Sequence, residues 1–397
     1  MEEKEFSKPQ VQETSLHFFL NNYLFLLSFL IWCVINILRN TLWQIPLIES
    51  NFNIIKWVCL AILIVKECIN VKIDYSIIST LLLCVSAVIV AYNTKDISIL
   101  ITAAFIIEAR NINFKDVLKV YALVTVVILI ITIYASKHGV LETQYFLKND
   151  GTPRYGLGFI YTTYSSQWLF FASASWISIR AKKISILELL IILGTNIYIY
   201  TQTITINPLI CSLLLVSLVI ILKLDDKIIE NKFIKFLGDN TFIIWSILII
   251  LLTTFYNRFG ILKLVDKLVS NRLRLGNSGL TEYGVSFFGQ DVVLSGSTFG
   301  LLEVLQTKYN YIDSAYVQII VKYGLILLLY IMLGFRKVQK KLRAEKNYYM
   351  YIVLIVVSLQ AMLDPQLIML YYNPFILLLG SLLIKQEVNT NDMLRVN

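Results

Sequence analysis

Ser270-Asn271-Arg272-Leu273-Arg274-Leu275-Gly276, then Glu282-Tyr283-Gly284, then Phe288-Gly289-Gln290, and finally Tyr309-Asn310-Tyr311-Ile312-Asp313-Ser314-Ala315-Tyr316 punctuate a single polar interruption, Arg258 to Ile312. Apolar segments flank it on both sides, and nearly all other polar stretches are short enough to be turns. A chain built this way reads as an all-α polytopic membrane protein with one large loop. The composition agrees: 57% of residues are hydrophobic, 15% are charged and the mean hydropathy is +0.70. Globular domains average about half apolar and about a quarter charged.

Roughly 17 to 25 apolar residues are needed to cross a hydrocarbon core of about 30 Å. By that rule spans fall near 16 to 38, 54 to 69, 76 to 92, 97 to 109, 120 to 135, 161 to 179, 186 to 201, 207 to 222, 241 to 257, 313 to 334, 348 to 364 and 366 to 385, twelve in all. The fourth is short and suits a re-entrant or interfacial helix. The expected organisation is a tail over 1–15, nine transmembrane helices over 16–257, the large loop over 258–312, three more helices over 313–385 and a tail over 386–397.

Lysine and arginine set the orientation. With the N-terminus cytoplasmic, the inside segments carry most of the 35 basic residues, including the cluster Arg336, Lys337, Lys340, Lys341, Arg343 and Lys346. Both termini are therefore expected in the cytoplasm and the loop 258–312 outside, in a multi-pass protein of the cell membrane. The net charge of +9 then reflects topology and anionic headgroups rather than nucleic acid. No cleavable signal peptide is expected, since the first apolar stretch is long enough to stay as a span. Five cysteines without paired spacing and only two histidines, His17 and His138, give no metal or disulfide framework. No internal period is visible, nor the inverted pair of broken helices found in many transporters. Pro374 is expected to kink the last span.

Arginine suits a diphosphate because its planar fork stays charged and makes paired hydrogen bonds. Arg154, Arg272 and Arg274 lie in external segments beside glycines or small residues; the plain alternative is headgroup anchors or ordinary loop charges. Asp313, at the mouth of the tenth span, has the chemistry of a general base, and equally that of a helix cap. On a straight helix Tyr316 and Tyr323 fall on the Asp313 side and can border one cavity with it. Lys322 lies midway along the same span, where an ammonium needs a partner or a water-filled cavity. It is expected to neutralise a lipid diphosphate or to pair with a buried carboxylate such as Glu108, with Gly324 a possible bend in the helix.

The order of these motifs resembles the Wzy-type polysaccharide polymerases, relatives of the O-antigen ligases. The resemblance rests on Arg154-x-x-Leu157-Gly158-Phe159 leading into Tyr161-Thr162-Thr163-Tyr164, a large external loop with Ser270-x-Arg272, the Phe288-Gly289-Gln290 element, and Tyr309-x-Tyr311-Ile312-Asp313-Ser314-x-Tyr316 running on to Lys322-Tyr323-Gly324. It implies a GT-C-like fold with the large loop between helices 9 and 10. It also implies an inverting, metal-independent glycosyltransferase that needs no cofactor. Such an enzyme joins undecaprenyl-diphosphate-linked oligosaccharide donor and acceptor units into a capsule or exopolysaccharide, amid membrane lipid and beside a flippase and a chain-length regulator. Arg154, Arg272 and Asp313 would be catalytic, and Arg274, Tyr309, Tyr316, Lys322 and Tyr323 substrate-binding. Three departures stand out: the turn Tyr200 to Thr205 carries no arginine, where many relatives have a Ser-Arg pair; the large loop has no arginine followed by ten residues and a glycine, a spacing associated with some polymerases; and the ligase histidine has no counterpart beyond His138. An O-antigen-ligase-like transferase, a lipid-linked oligosaccharide flippase and a structural scaffold are the competing readings.

Overall fold

The computed structural model describes residues 10–43, 45–69, 77–147, 151–294 and 310–384. The expected tails 1–15 and 386–397 therefore fall largely or wholly outside the described residues, and Tyr309 falls outside them too. Helix dominates what is described. The helices are α1 (Gln10–Arg39), α2 (Pro46–Ile69), α3 (Ile77–Thr94), α4 (Ser98–Glu108), α5 (Phe114–Lys137), α6 (Tyr164–Arg180), α7 (Ile186–Thr203), α8 (Ile206–Leu224), α9 (Lys232–Asp239), α10 (Thr241–Thr254), α11 (Gly260–Leu268) and α12 (Arg272–Tyr283), with α13 (Leu325–Ala344) and α14 (Tyr348–Leu363) after the loop. A two-stranded antiparallel hairpin, β1 (Tyr145–Leu147) and β2 (Pro153–Tyr155), follows α5.

Among the described residues five helices are long and apolar enough to cross a membrane: Leu20–Arg39, Ile77–Thr94, Phe114–Lys137, Ile186–Thr203 and Ile206–Leu224. Helices α9 and α10, bent by 65°, make a sixth if they are one span. Some of the other expected spans are shorter or broken, while the span expected over 54 to 69 lies within the unbroken α2 of 24 residues. Residues 97 to 109 form α4, of 11 residues, and α4 is largely buried among its neighbours. Residues 366 to 385 hold two 3-10 segments, Gln366–Ile368 and Pro374–Leu382. Pro374 begins the second of these rather than kinking an α-helix, because a missing N–H costs nothing in a first turn. The stretch 258 to 312 is partly helical, containing α11 and α12.

Polar starts and stops delimit the helices. Ser185 and Glu188 form a reciprocal capping box at α7, and the Asn113 side chain caps α5 by accepting from Lys115 N. The buried carboxylate of Asp266 accepts from Leu273 N at 2.8 Å and Arg274 N at 3.2 Å, capping α12 from α11.

The two ends of the bundle differ. At the end where α2 and α4 finish, the buried Lys66 ammonium donates to Glu108 Oε2 at 2.6 Å and to Glu108 O at 3.0 Å. The equally buried Arg110 donates to Ile107 O at 3.0 Å and to Glu67 Oε2 at 2.5 Å. The 3-10 segment from Pro374 packs directly on this knot: a methyl at Gly380 would meet Ile106 O at 2.3 Å. Glu108 thus belongs to Lys66 and not to Lys322. The opposite end, where α3 stops and α4 starts, gathers most of the residues with chemical potential.

Candidate functional site

The Arg154 segment is tied down from several directions. Leu42 N donates to Gly158 O at 2.8 Å and Ile160 N to Asn40 O at 3.1 Å, stitching the end of α1 to residues 158–160. The Trp43 indole donates to Thr132 on α5 at 3.1 Å. Strand β2 lies beside the end of α7, and Arg154 Nε donates to Thr203 O at 3.0 Å while Nη2 reaches Thr205 Oγ1 at 3.4 Å. The turn Tyr200 to Thr205, which has no arginine of its own, thus receives Arg154 from the hairpin. Arg154 Nη1 makes no hydrogen bond among the described residues.

Arg272 arrives from the other side, at the first position of α12. Its Nη2 donates to Asp364 Oδ1 at 3.0 Å, and the side chains are only 12% and 2% exposed. Asp364 Oδ2 accepts from Asn207 Nδ2 at 2.6 Å and from Gln360 Nε2 at 3.4 Å. Asp364 is the buried anchor of this site and is absent from the sequence-based list. Its signal is a carboxylate between two long apolar runs, where charge is expensive unless it has work to do.

Arg154 and Arg272 are electrostatic neighbours: burial lowers the pKa of Arg154, Tyr161 raises it, and the Arg272 charge lowers it further. An arginine stays charged regardless, so two partly buried guanidinium groups within each other's field favour an anion nearby. The Tyr161 phenol lies in the fields of Asp313, Arg154, Arg272 and Asp364 at once. From Tyr161 an aromatic floor runs inward: ring centroids are 5.7 Å apart for Tyr161 and Tyr164, 6.1 Å for Tyr164 and Tyr372, and 4.4 Å for the stacked pair Trp168 and Tyr372.

Asp313 belongs to this group, and helix capping falls to its neighbour: Ser314 Oγ accepts from Val317 N at the start of the α-helical turn Ala315–Gln318. The span expected over 313 to 334 then changes character. Ile319–Tyr323 is π-helical, closed by Gly324 N donating to Ile319 O at 2.7 Å, and the chain breaks at Gly324, φ +99°, before α13. A π turn advances fewer degrees per residue than an α turn, so straight-helix projections fail past Gln318. Tyr316 is buried with its hydroxyl on Ser358 O at 2.8 Å, whereas Tyr323 donates to Asp96 Oδ2 at 2.8 Å. The two tyrosines thus bond to different elements, α14 and the end of α3. Lys322 reaches Asp96 Oδ2 at 3.3 Å, not Glu108. Arg274 is exposed on α12, two positions from Arg272, and points away from the group.

The Phe288-Gly289-Gln290 element explains how the π turn persists. It runs as an extended strap across Gly324: Gln290 N donates to Lys322 O at 2.9 Å, Leu325 N to Ser286 O at 2.9 Å and Ile326 N to Phe287 O at 3.2 Å. The Gln290 amide adds bonds to Val321 O at 2.8 Å and Tyr283 O at 3.1 Å. Asn93 Nδ2 holds the strap to α3 through Phe288 O at 3.1 Å. Gln290 thus satisfies a carbonyl that the widened turn leaves over.

Asp96 is a second residue that sequence reading passed by. Burial pushes its pKa up, but the Lys322 charge and hydrogen bonds from Tyr323 and Ser98 outweigh that and hold it below the ordinary 3.8. A carboxyl with a depressed folded-state pKa adds stability above its unfolded value and loses it as pH falls through the folded one. The melting temperatures of wild type and Asp96→Asn in detergent are therefore expected to differ at neutral pH and to converge below about pH 3.8. A constant gap down to pH 3 contradicts this.

An apolar cavity of about 930 Å³ opens between α5, α6 and α7. Lys119 and Glu188 lie at one end, and Lys137, His138 and Tyr198 at the other. From Lys119 to Lys137 along α5 is roughly 27 Å at 1.5 Å per residue, close to a hydrocarbon thickness of about 30 Å. His138 packs against Tyr134 at the cavity rim, with ring centroids 4.2 Å apart and planes tilted by 43°. On α7 the cavity lining ends at Ile199, one turn short of the residue that receives Arg154: Thr203 Oγ1 donates to Ile199 O at 3.0 Å, and Thr203 O accepts from Arg154.

No protein-family model matches this chain, and no curated protein or solved structure matches it either.

Proposed function

We propose that this protein is a polysaccharide polymerase of the Wzy type, joining undecaprenyl-diphosphate-linked oligosaccharides at the outer face of the cytoplasmic membrane. In this reading the chain crosses the membrane twelve times, with both termini in the cytoplasm and residues 258–312 outside. One observation carries it. Two arginines from distant segments, Arg154 and Arg272, act together with Asp313 on Tyr161, and Arg154 is held by Thr203, one turn of α7 beyond the lining of a long apolar cavity.

That arrangement fits a substrate with a long isoprenoid tail, a diphosphate and a sugar. The tail lies in the cavity between α5, α6 and α7, the diphosphate meets Arg154 and Arg272, and the sugars pass over the tyrosines. The acceptor hydroxyl attacks the anomeric carbon from the face opposite the diphosphate, and Asp313 takes the hydroxyl proton. The bond from the anomeric carbon to the diphosphate oxygen breaks, and its electron pair goes to the diphosphate, where the arginines stabilise the added charge. Aromatic side chains offer faces on which sugar rings rest.

Protein in lipid nanodiscs with lipid-linked repeat units is expected to produce a ladder of longer lipid-linked glycans, and Arg154→Ala to abolish it without loss of membrane insertion. Transfer only to an acceptor that is not lipid-linked would mean a ligase. Movement of substrate between leaflets without elongation would mean a flippase.

A further inference from the structure

The short helix α11 carries an exposed face that glycosyl transfer does not use. We propose that α11 docks on an anionic lipid surface, and that this contact holds Arg272 in place through Asp266. A ligase or a flippase with this fold would have the same surface.

At about 100° per residue α11 divides into three sectors. Leu262 and Asp266 are buried, and Val265 and the following Val269 pack against the core on the same side. Ile261, Leu264 and Leu268 fall within about 60° of one another and are 64%, 59% and 81% exposed. Lys263 and Lys267 are exposed next to them. A helix with one face on the protein, one apolar face bare and lysines at its margin has the pattern of an interfacial helix, with its apolar side chains among acyl chains and its ammonium groups on headgroups. The sign of the surface follows from charge. From 258 to 284 the chain carries five cations, Arg258, Lys263, Lys267, Arg272 and Arg274, against the carboxylates Asp266 and Glu282, of which Asp266 is buried.

The position of α11 fits as well. It starts six residues after the end of α10, and the exposed apolar residues of α10, Ile247, Leu248 and Leu251, continue through Phe259 onto it. At 14 residues, α10 is about 21 Å long, short of a hydrocarbon core of about 30 Å. Apolar helices at its two ends make up the difference. At one end α9, bent from α10 by 65°, exposes Phe233 and Phe236 beside Lys232 and Lys235; at the other lies α11.

The link to Arg272 is geometric. The body of α12 is fixed to α10: Asn277 Nδ2 donates to Thr253 O at 2.9 Å, and a methyl on Gly276 would meet Thr253 Cγ2 at 2.8 Å. Its first turn depends on α11 instead. The Asp266 carboxylate accepts from Leu273 N and Arg274 N, and Asp266 O accepts from Asn271 N at 2.8 Å. Ser270 and Asn271, at φ +58° and +64°, are both left-handed, a conformation that costs residues with a side chain. Such a turn keeps its shape while both of its ends are held, and a lipid surface under α11 holds one of them.

The test is amide hydrogen exchange of the full chain in nanodiscs of phosphatidylcholine, with and without phosphatidylglycerol, loaded with one or two chains and read by mass spectrometry. Exchange over 260–271 is expected to be about tenfold or more slower on the anionic surface, since each lysine there is worth about fivefold. Exchange over 272–276 should slow with it, while α5 stays unchanged. Lys263→Gln with Lys267→Gln should abolish the difference, and Lys263→Arg with Lys267→Arg should keep it. Phospholipid with a diazirine on its acyl chain should label Ile261, Leu264 and Leu268. Equal exchange on both surfaces would overturn the anionic partner, and label on exposed Leu123 and Ile130 of α5 but none on α11 would overturn lipid contact altogether. Protection that needs two chains in a nanodisc would assign the face to a second copy and overturn a lipid partner. Slowing of α11 without slowing of 272–276 would overturn the hold on Arg272.

Discussion

Asp364→Ala is expected to stop glycan elongation and to destabilise the protein by about 3–5 kcal/mol, the cost of stranding one member of a buried ion pair. The carboxylate is the meeting point of Arg272, Asn207 and Gln360. Without it the Arg272 guanidinium, 12% exposed, loses its partner and its aim. Thermal unfolding in detergent reads the first effect and the product ladder the second. Asp364→Asn keeps the volume and part of the hydrogen bonding, so it should cost less stability, roughly 1–2 kcal/mol, while still failing to orient Arg272. A double-mutant cycle with Arg272→Met isolates the pair, and a coupling of about 2 kcal/mol is expected within the range for residues in one network. Coupling near zero, with full activity in Asp364→Ala, would mean that Asp364 neither stabilises nor positions Arg272.

Gly324→Ala is expected to be more damaging than any other glycine substitution at this end of the bundle. At φ +99° an L-residue is strained, and the added methyl would lie 2.5 Å from both Gly289 N and Phe287 O. Both obstacles are backbone atoms in a strap that several hydrogen bonds hold down, so neither can retreat cheaply. A loss of more than about 4 kcal/mol is expected, in the range where one residue decides whether a protein folds. Gly284→Ala is the control: it too has positive φ, +71°, but nothing lies within 4 Å of the added methyl. Equal melting temperatures for the two variants would show that the strap is free to move away from the π turn.

The helical character of the chain was legible because apolar runs of the right length carry it directly. The candidate residues were legible for two reasons: Lys322 is costly inside an apolar run and Asp313 at its mouth, while Arg154 and Arg272 sit beside glycines or small residues in polar segments. Their partners were not. Lys322 and Asp96 are 226 positions apart, Arg272 and Asp364 are 92 apart, and Lys66 and Glu108 are 42 apart. Nothing local in a sequence specifies which of several acidic residues a distant cation will meet, and Glu108 was as reasonable a partner for Lys322 as Asp96. The π turn was hidden for a different reason. Ile319-Ile320-Val321-Lys322-Tyr323 has the composition of an ordinary apolar helix, and the widening depends on Gln290 and Gly289 arriving from a strap some thirty residues away. Asp364 was visible in principle, as an isolated acid between apolar runs, but a residue at a turn between spans attracts less notice than one inside a span.

The Lys66, Glu108, Arg110 and Glu67 knot sets a kinetic limit. A carrier that exposed its site alternately to the two sides would have to part α2 from α4 at that knot in every cycle. Separating one buried ion pair costs about 3–5 kcal/mol, and each 1.36 kcal/mol slows a step tenfold. Each such opening would therefore be roughly two to four orders of magnitude slower than in a bundle closed there by apolar contacts alone. The backbone of α4 also lies directly against Gly380. Ion pairs and close backbone packing thus join α2, α4 and the 3-10 segment at that end of the bundle.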